Sequence, residues 1–232
     1  MEFFVGTSGW AYDWNKQQNL SWFVKSSGLN AVELNMSFYR FPSQKAAKSW
    51  GEKGKDLHWA IKANRLFTHN HKFNEKAKEK WSNFHEVFAP LEGNIDFYLF
   101  QLPPQTTPDS VEQIGDFARL TNLKERFALE FRNKEWFTDQ WAKWARDLGI
   151  TLVSVDAPNL PGNMFSNNGL VYLRIHGKNR WYSHNYTDTE LWDLAKKIAD
   201  ANPEKAYVFF NNNHNMLANA QAMLQTLKKQ QP

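Results

Sequence analysis

The chain has 232 residues, no cysteine and a formal net charge of only +4. The lack of cysteine excludes thiolate nucleophiles, iron–sulfur clusters and cysteine-rich zinc sites. Its basic residues are interleaved with acidic ones, which predicts solvated helix faces rather than a nucleic-acid-binding stripe. One barrel domain spanning residues 1–232 fits this length better than two ordinary domains.

The N-terminal segment MEFFVGTSGW has neither a basic start nor an apolar run long enough for export or for crossing a membrane. We therefore expect a cytoplasmic protein without a membrane partner.

Eight short apolar segments are predicted to be strands, and nearly every one runs into polar residues at its C-terminal end. They span 3–10, 31–40, 58–65, 96–105, 127–136, 152–158, 171–177 and 207–215. Amphipathic segments separate most of them and are predicted to be helices. This alternation favours an α/β fold with a parallel sheet, and eight units favour closure into a single (β/α)8 TIM barrel.

Capping signals mark the start of several helices. The predicted helices span 44–54, 74–89, 110–120, 139–149, 191–201 and 216–229. Ser43, Asp109 and Thr138 each stand immediately before a predicted helix. Thr187 and Glu190 match a capping box ahead of the helix predicted over 191–201. After the sixth strand, two prolines and two glycines in APNLPGNMFSNNG predict an irregular connection instead of a helix.

Polar residues two positions apart recur at the ends of five strands. Side chains two apart in a strand share a face, and a TIM barrel gathers the C-terminal ends of its strands at one mouth. We therefore expect these pairs to point into one site, although each is also compatible with a buried structural ion pair. The pairs are Glu33 and Asn35, Lys62 and Asn64, Glu130 and Arg132, Ser154 and Asp156, and Arg174 and His176.

Titratable side chains among these pairs are the candidates for catalysis. Clustered carboxylates push one another's pKa values apart, which separates acid and base roles or creates metal ligands. The imidazole of His176 titrates nearest to neutral pH, although a histidine in a strand is more often a hydrogen-bonded structural group. The predicted catalytic residues are Glu33, Lys62, Glu130, Asp156 and His176.

Cationic, polar and aromatic side chains beside these residues are predicted to bind the ligand. The guanidinium groups of Arg132 and Arg174 would attract a carboxylate or phosphate. The glycines of the GTSGW turn allow close approach of the backbone to a ligand, or simply form a tight turn. The predicted ligand-binding residues are Ser8, Trp10, Tyr12, Tyr39, His69, Gln101, Arg132, Arg174 and Asn211.

Neither a cofactor nor a dedicated metal site is predicted. Carboxylates and histidines at strand ends could bind a divalent metal, but no compact ligand motif is present, and basic residues at the same mouth would oppose a cation. Walker, GxGxxG, GxSxG and HExxH motifs are also absent from the sequence.

The same strand ends carry a family resemblance, because the chain resembles the YecE-like family, a domain of unknown function. Its motifs run in order from VGTSGWAYDW (5–14) to FFNNNHNMLANAQAML (209–224) and cover essentially the whole chain. The resemblance implies a TIM barrel related to xylose-isomerase-like and endonuclease-like barrels, without an established reaction. The signature positions that it carries over are Ser8, Trp10, Tyr12, Glu33, Phe38, Tyr39, Lys62, Thr68, His69, Gln101, Pro103, Glu130, Arg132, Asp156, Arg174, His176, Gly177 and Asn211.

The leading functional hypothesis is an enzyme, hydrolase or isomerase in type, that uses acid–base chemistry on a small anionic or polyhydroxylated ligand. Glu33 and Glu130 would transfer protons, together with His176. The cationic groups that would bind the anion are those of Lys62, Arg132 and Arg174. Two alternatives stay open: an endonuclease-like barrel that processes nucleic acid, with or without the help of a metal, and a non-catalytic barrel that binds a small ligand.

Overall fold

The structure is a computed structural model that describes residues 1–230. Its eight parallel strands form a closed barrel in which neighbours in sequence are neighbours in the sheet. The strands are β1 Glu2–Thr7, β2 Ala31–Leu34, β3 His58–Lys62, β4 Ile95–Gln101, β5 Phe127–Glu130, β6 Thr151–Asp156, β7 Leu170–Ile175 and β8 Lys205–Phe210. The predicted TIM barrel is confirmed.

Seven α-helices of the described chain alternate with these strands. They are α1 Leu20–Ser26, α2 Gln44–Lys53, α3 Glu75–Val87, α4 Val111–Thr121, α5 Asp139–Leu148, α6 Asp188–Asp200 and α7 Met216–Lys229. The sequence predicts all of them except α1, and residues 157–169 form turns and an isolated bridge without a helix. Within residues 1–230, none of the helices combines the length and the apolar character that crossing a membrane requires.

Several strands are shorter than predicted because their polar ends leave the sheet. Asn35 has a helical backbone conformation, which ends β2 and begins the 3₁₀ turn Met36–Phe38. A similar turn, Lys134–Trp136, lies inside the segment predicted as the fifth strand. Of the five polar pairs, four therefore have their first residue in the strand and their second on the loop that follows it, and only Ser154 and Asp156 lie entirely within a strand.

The capping signals at Ser43 and Thr187 are confirmed. The Ser43 side chain accepts a hydrogen bond from the backbone N–H of Ala46 at the start of α2. Thr187 and Glu190 form the predicted capping box, although α6 begins three residues earlier than predicted, at Asp188.

Two other capping predictions are corrected. The residue that precedes α4 is Ser110, because Asp109 lies one position too early, in the 3₁₀ turn Pro108–Ser110. Thr138 does occupy the position before α5, but its side chain makes no capping hydrogen bond.

Contacts divide the chain into two compact units, which are described separately. Unit 1 comprises Met1–Glu33, Asp56–His58 and the chain from Val153 onward. Unit 2 comprises Leu34–Lys55 and Trp59–Leu152.

The core of unit 1 is built on the register of its parallel strands. Tyr207 of β8 is paired with Phe4 of β1 and with Tyr172 of β7. The rings of Phe4 and Tyr207 stack with centroids 4.5 Å apart. These aromatic side chains occupy the N-terminal part of the strands. The polar side chains of unit 1 lie towards the C-terminal ends of the same strands.

The core of unit 2 is largely aromatic. Trp81 and Phe84 of α3, and Phe88 directly after it, are buried. Trp81 lies 5.7 Å from Phe100 between ring centroids, and Phe100 stacks on Phe127 at 4.1 Å. Large rings in such geometries combine apolar burial with favourable ring–ring contacts.

A half-buried ionic cluster in unit 2 surrounds the carboxylate of Glu92, just before β4. The hydroxyl of Tyr98 and Nη1 of Arg126 each donate to it at 2.7 Å, and Nε2 of His85 lies 3.4 Å away. Burial raises the pKa of Glu92, but the hydrogen bonds from His85, Arg126 and Tyr98 outweigh it and lower the pKa to about 2. The ionised form of Glu92 is thus favoured by folding.

We expect Glu92→Gln to lower the free energy of unfolding at neutral pH by roughly 1–2 kcal/mol. Since the folded pKa lies below the unfolded value, the ionic contribution is fully present above the unfolded pKa of 4.5 and is lost as pH falls towards about 2. The stability difference between the two proteins should therefore shrink on acidification, as measured by urea unfolding.

The matched control is Glu86→Gln, which removes an exposed carboxylate from the same region. Its effect on the free energy of unfolding should be small at every pH. A stability deficit of Glu92→Gln that stays constant between about pH 7 and pH 3 would contradict the ionic explanation.

Candidate functional site

Strand register decides which side chains of unit 1 share a face. Arg174 of β7 is paired with Val155 of β6, and paired residues in parallel strands point to the same side. Ser154 and Asp156 alternate with Val155, so they lie on the face opposite Arg174. The prediction that all five polar pairs point into one space is therefore wrong for Ser154 and Asp156.

A buried ion pair joins Glu33 of β2 to Arg174 of β7. Nη2 of Arg174 donates to Oε1 of Glu33 at 2.6 Å, and Nε donates to Oε2 at 2.9 Å. Both side chains are 0% exposed. This two-point geometry matches the planar fork of a guanidinium group, and it compensates two charges that would each be costly to bury alone.

Two hydroxyl groups complete the surroundings of the Glu33 carboxylate. Ser8 Oγ donates to Oε1 at 2.7 Å, and the Tyr172 hydroxyl donates to Oε2 at 2.8 Å. Four donors thus surround the two oxygens of this buried carboxylate. Tyr172 was absent from the predicted site, although it stands two residues before Arg174 and the period of the strand places both on one face.

His176 extends this cluster. Nη1 of Arg174 lies 3.3 Å from Nε2 of the His176 ring. A guanidinium group can only donate, so Nε2 is the acceptor and the ring proton resides on Nδ1. We call Ser8, Glu33, Tyr172, Arg174 and His176 the Glu33–Arg174 cluster.

The segment after β7 folds two aromatic rings onto His176. The rings of Trp181 and Tyr182 each lie 5.5 Å from it between centroids, and the Tyr182 N–H donates to the His176 carbonyl at 2.6 Å. Gly177 has a φ of 127°, and a Cβ there would lie only 2.2 Å from the carbonyl oxygen of Arg180. Only glycine therefore fits this turn without a backbone shift.

Asp156 belongs to a different crevice, on the opposite face of the strands. Its carboxylate accepts a hydrogen bond from the hydroxyl of Tyr186. Burial, and next the charge of Asp156, raise the pKa of Tyr186 above its ordinary value. The crevice has a volume of about 320 Å³ and is also lined by Lys178 and Glu190. This contact ties the segment before α6 to the end of β6.

A buried amide network anchors the same segment to α7. Nδ2 of Asn212 donates to the carbonyl of His184 and to Oδ1 of Asn219, both at 2.7 Å. Oδ1 of Asn219 also accepts from the backbone N–H of Tyr186 at 3.2 Å. The sequence analysis selects Asn211 instead, whose side chain is half-buried and whose N–H bonds to the end of β7.

The predicted aromatic residues after β1 lie beside Ser8. The rings of Tyr12 and Trp14 stack with centroids 5.7 Å apart, and the Tyr12 hydroxyl donates to the carbonyl of Ser8 at 3.3 Å. The carbonyl of Trp10 accepts from the side chain of Asn15 at 2.7 Å. All three rings are half-buried, which suits a wall next to Ser8.

In unit 2, the predicted residues Lys62 and Gln101 are in contact. Nζ of Lys62 donates to Oε1 of Gln101 at 2.8 Å and lies 4.2 Å from the centroid of the Phe38 ring. Lys62 is buried. Tyr39 packs edge-on against Phe38 but is 73% exposed, so most of its ring faces solvent.

The predicted pair of Glu130 and Arg132 is also in contact. Nε of Arg132 donates to the Glu130 carboxylate, and the two side chains are 7% and 0% exposed for Arg132 and Glu130, respectively. Gln101 is paired with Glu130 across β4 and β5 and shares its face. Unit 2 thus brings its predicted residues together in contacts of its own.

His69 lies on a single π-helical turn, Leu66–Asn70. Its Nδ1 is 2.7 Å from Oγ1 of Thr68, and its ring packs edge-on against Phe38. Burial, followed by the positive charges of Lys62 and Arg65, lowers the pKa of His69. The surroundings of this ring are therefore electropositive.

Over residues 1–230, no group of three or more histidine, aspartate and glutamate side chains is arranged to hold a metal ion. The carboxylates of Glu33 and Glu130 each accept hydrogen bonds from a guanidinium group instead.

Comparison with known proteins places the chain in a family. A family model described as protein of unknown function DUF72 matches residues 4–232. A DUF72 family protein from Thermotoga maritima MSB8 is 26% identical, with a TM-score of 0.82 over 98% of this chain and 100% of its own. A DUF72 family protein from Enterococcus faecalis V583 is 21% identical, with a TM-score of 0.82 over 97% of this chain and 95% of its own. Functionally curated proteins give no match.

A more distant structure shares the fold alone. D-psicose 3-epimerase with D-tagatose from Clostridium cellulolyticum H10 is 14% identical, with a TM-score of 0.58 over 99% of both chains. The family model, by contrast, covers nearly the whole chain and agrees with the family indicated by the sequence motifs. The chain belongs to the DUF72 family of proteins of unknown function.

Proposed function

We propose that this protein is an enzyme that uses acid–base chemistry on a small anionic or polyhydroxylated ligand at the Glu33–Arg174 cluster. The observation that carries the proposal is the contact between the buried, permanently charged guanidinium group of Arg174 and the imidazole of His176, 3.3 Å apart. A fixed cation beside a proton carrier supplies electrostatic stabilisation and proton transfer together.

Glu33 acts as the positioning residue in this proposal. The sequence analysis gives it a proton-transfer role, but its two oxygens already accept from Arg174, Ser8 and Tyr172. Protonating such a carboxylate would break a fully satisfied buried network. Glu33 therefore fixes the plane of the guanidinium group, and Arg174 directs its remaining edge towards His176.

His176 is the proton carrier. In this proposal Nδ1 donates its proton to a carbonyl oxygen of the ligand while the proton of the adjacent C–H bond passes to water. The imidazolate left on the ring is stabilised by the Arg174 guanidinium group and regains a proton from solvent. The charge of Arg174 would stabilise negative charge that develops nearby. Asp156 receives no proton-transfer role in this proposal, because it lies on the opposite face of the strands.

The proposal of a polyhydroxylated ligand guides the choice of compounds to test as substrates. Two of the distant structures with the same fold are D-psicose 3-epimerases, one with D-tagatose and one in the presence of D-fructose. A shared fold does not transfer a reaction. A guanidinium group such as that of Arg174 is nevertheless a donor that binds sugar hydroxyls or carboxylates.

The function is tested by solvent-hydrogen exchange, which requires no knowledge of the product. The protein is incubated in D₂O with a panel of ketoses, aldoses and hydroxy acids, and loss of C–H signals is followed by proton NMR. We expect deuterium incorporation into at least one compound. His176→Gln should slow that exchange by about 100-fold or more, since general acid–base catalysis contributes factors of this size.

The matched control for that variant is His85→Gln, which changes the same residue type in the Glu92 cluster and should leave the exchange rate unchanged. Equal rates for His176→Gln and the unmodified protein would refute the proton-transfer role. Ligand binding without exchange or turnover would favour a non-catalytic barrel, and oligonucleotide binding that weakens steeply with salt would favour nucleic-acid processing.

The energetic coupling of Glu33 to Arg174 is tested by a double-mutant cycle. Arg174→Met alone should lower the free energy of unfolding by roughly 3–5 kcal/mol, because it leaves the Glu33 carboxylate buried without its partner. The double variant Glu33→Gln, Arg174→Met should lose clearly less than the sum of the two single losses. Urea unfolding measures all four proteins.

Tyr172→Phe provides the control, since it removes one hydroxyl donor and keeps both charges. Its loss of stability should be only about 1–2 kcal/mol. Additive single and double variants would show that Glu33 and Arg174 do not act as a unit.

A further inference from the structure

A second candidate site lies in unit 2, beside the loop that follows β4. The cavity there has a volume of about 530 Å³, which is within the range of pockets that hold small molecules. Its lining residues are His69, Lys72, Pro103, Gln105, Thr106, Thr107 and Ser110. We propose that this cavity binds a tetrahedral oxyanion, phosphate or sulfate, either free or carried by a small molecule. The inference does not rest on the proposed function, whose residues belong to unit 1.

Positive charge is the first argument for an oxyanion. Lys72 lines the cavity with an ammonium group. The ring of His69, which also lines it, is acted on by the charges of Lys62 and Arg65. An anion in this cavity would therefore meet one cation directly and lie in the field of two others.

Hydroxyl donors are the second argument. Thr106 and Ser110 line the cavity and can each donate one hydrogen bond to an oxyanion. The hydroxyl of Thr107 is already committed, because it donates to Oδ2 of Asp109 at 3.1 Å. Asp109 opposes an anion with one negative charge, but this carboxylate is exposed, whereas Lys72 lines the cavity itself.

Both walls of the cavity are held by hydrogen bonds before any ligand arrives. The Thr106 N–H donates to the carbonyl of Pro103 at 3.0 Å, and the Thr106 carbonyl accepts from the buried indole of Trp136 at 2.8 Å. On the other wall, His71 N–H donates to the carbonyl of Leu66 at 2.9 Å, which fixes the turn that carries Lys72. Preorganised donors lose less conformational entropy on binding.

The test uses inorganic phosphate as the probe, titrated by isothermal calorimetry at constant ionic strength, with the ring signals of His69 followed by two-dimensional NMR. We expect saturable binding that perturbs the His69 ring. Lys72→Ala should weaken it by about fivefold or more, since it removes a charge-assisted contact. Lys76→Ala, which removes an exposed lysine from the adjacent helix α3, is the matched control and should leave affinity within about twofold.

Two results would overturn the proposal. The first is phosphate binding no stronger than that of chloride at equal ionic strength, and the second is equal weakening by Lys72→Ala and Lys76→Ala. Ser110→Ala supplies an independent variant and should weaken phosphate binding by about twofold to fivefold. A titration with glycerol phosphate distinguishes the source of the oxyanion: tighter binding supports a phosphorylated small molecule, and equal binding supports the free ion.

Discussion

The buried ion pair between Glu33 and Arg174 is the constraint on which the rest of unit 1 depends. Neither charge is tolerable alone in a site that is 0% exposed, because an unpaired buried ion costs several kcal/mol. The hydroxyl groups of Ser8 and Tyr172 donate further hydrogen bonds to the carboxylate oxygens of Glu33. The pair therefore ties β1, β2 and β7 together through side chains, in addition to the backbone hydrogen bonds of the sheet.

The same constraint determines the chemistry available beside it. Because Glu33 holds two of its N–H groups, Arg174 can rotate little, and its remaining edge meets Nε2 of His176. The tautomer of the imidazole follows from a structural ion pair rather than from a ligand. A site whose charges are fixed before the ligand arrives avoids the reorganisation that water would require, and this is the usual basis of electrostatic catalysis.

Local sequence pattern was sufficient for the barrel and for part of the site, because both depend on short periods. The alternation of strand and helix predicts the fold, and the strand period of two places Arg174 and His176 on one face. The same period, extended two residues towards the N-terminus from Arg174, also places Tyr172 on that face. Asp156 could not be placed in this way, since its face depends on the register between β6 and β7. The sequence pattern does not predict helix α1, because its seven residues, LSWFVKS, include aromatic and β-branched types that favour strands.

The two units use positive charge in different ways, and the difference bears on where an anion can bind. Arg174 and Arg132 are each buried against a carboxylate, which compensates the cost of burying their charge. Lys62 donates a hydrogen bond to the neutral amide of Gln101, and its positive charge contributes, after burial, to the lowered pKa of His69. The positive charge of Arg65 contributes to that pKa in the same direction. The oxyanion proposed for unit 2 would bind beside this ring, in a cavity that Lys72 also lines.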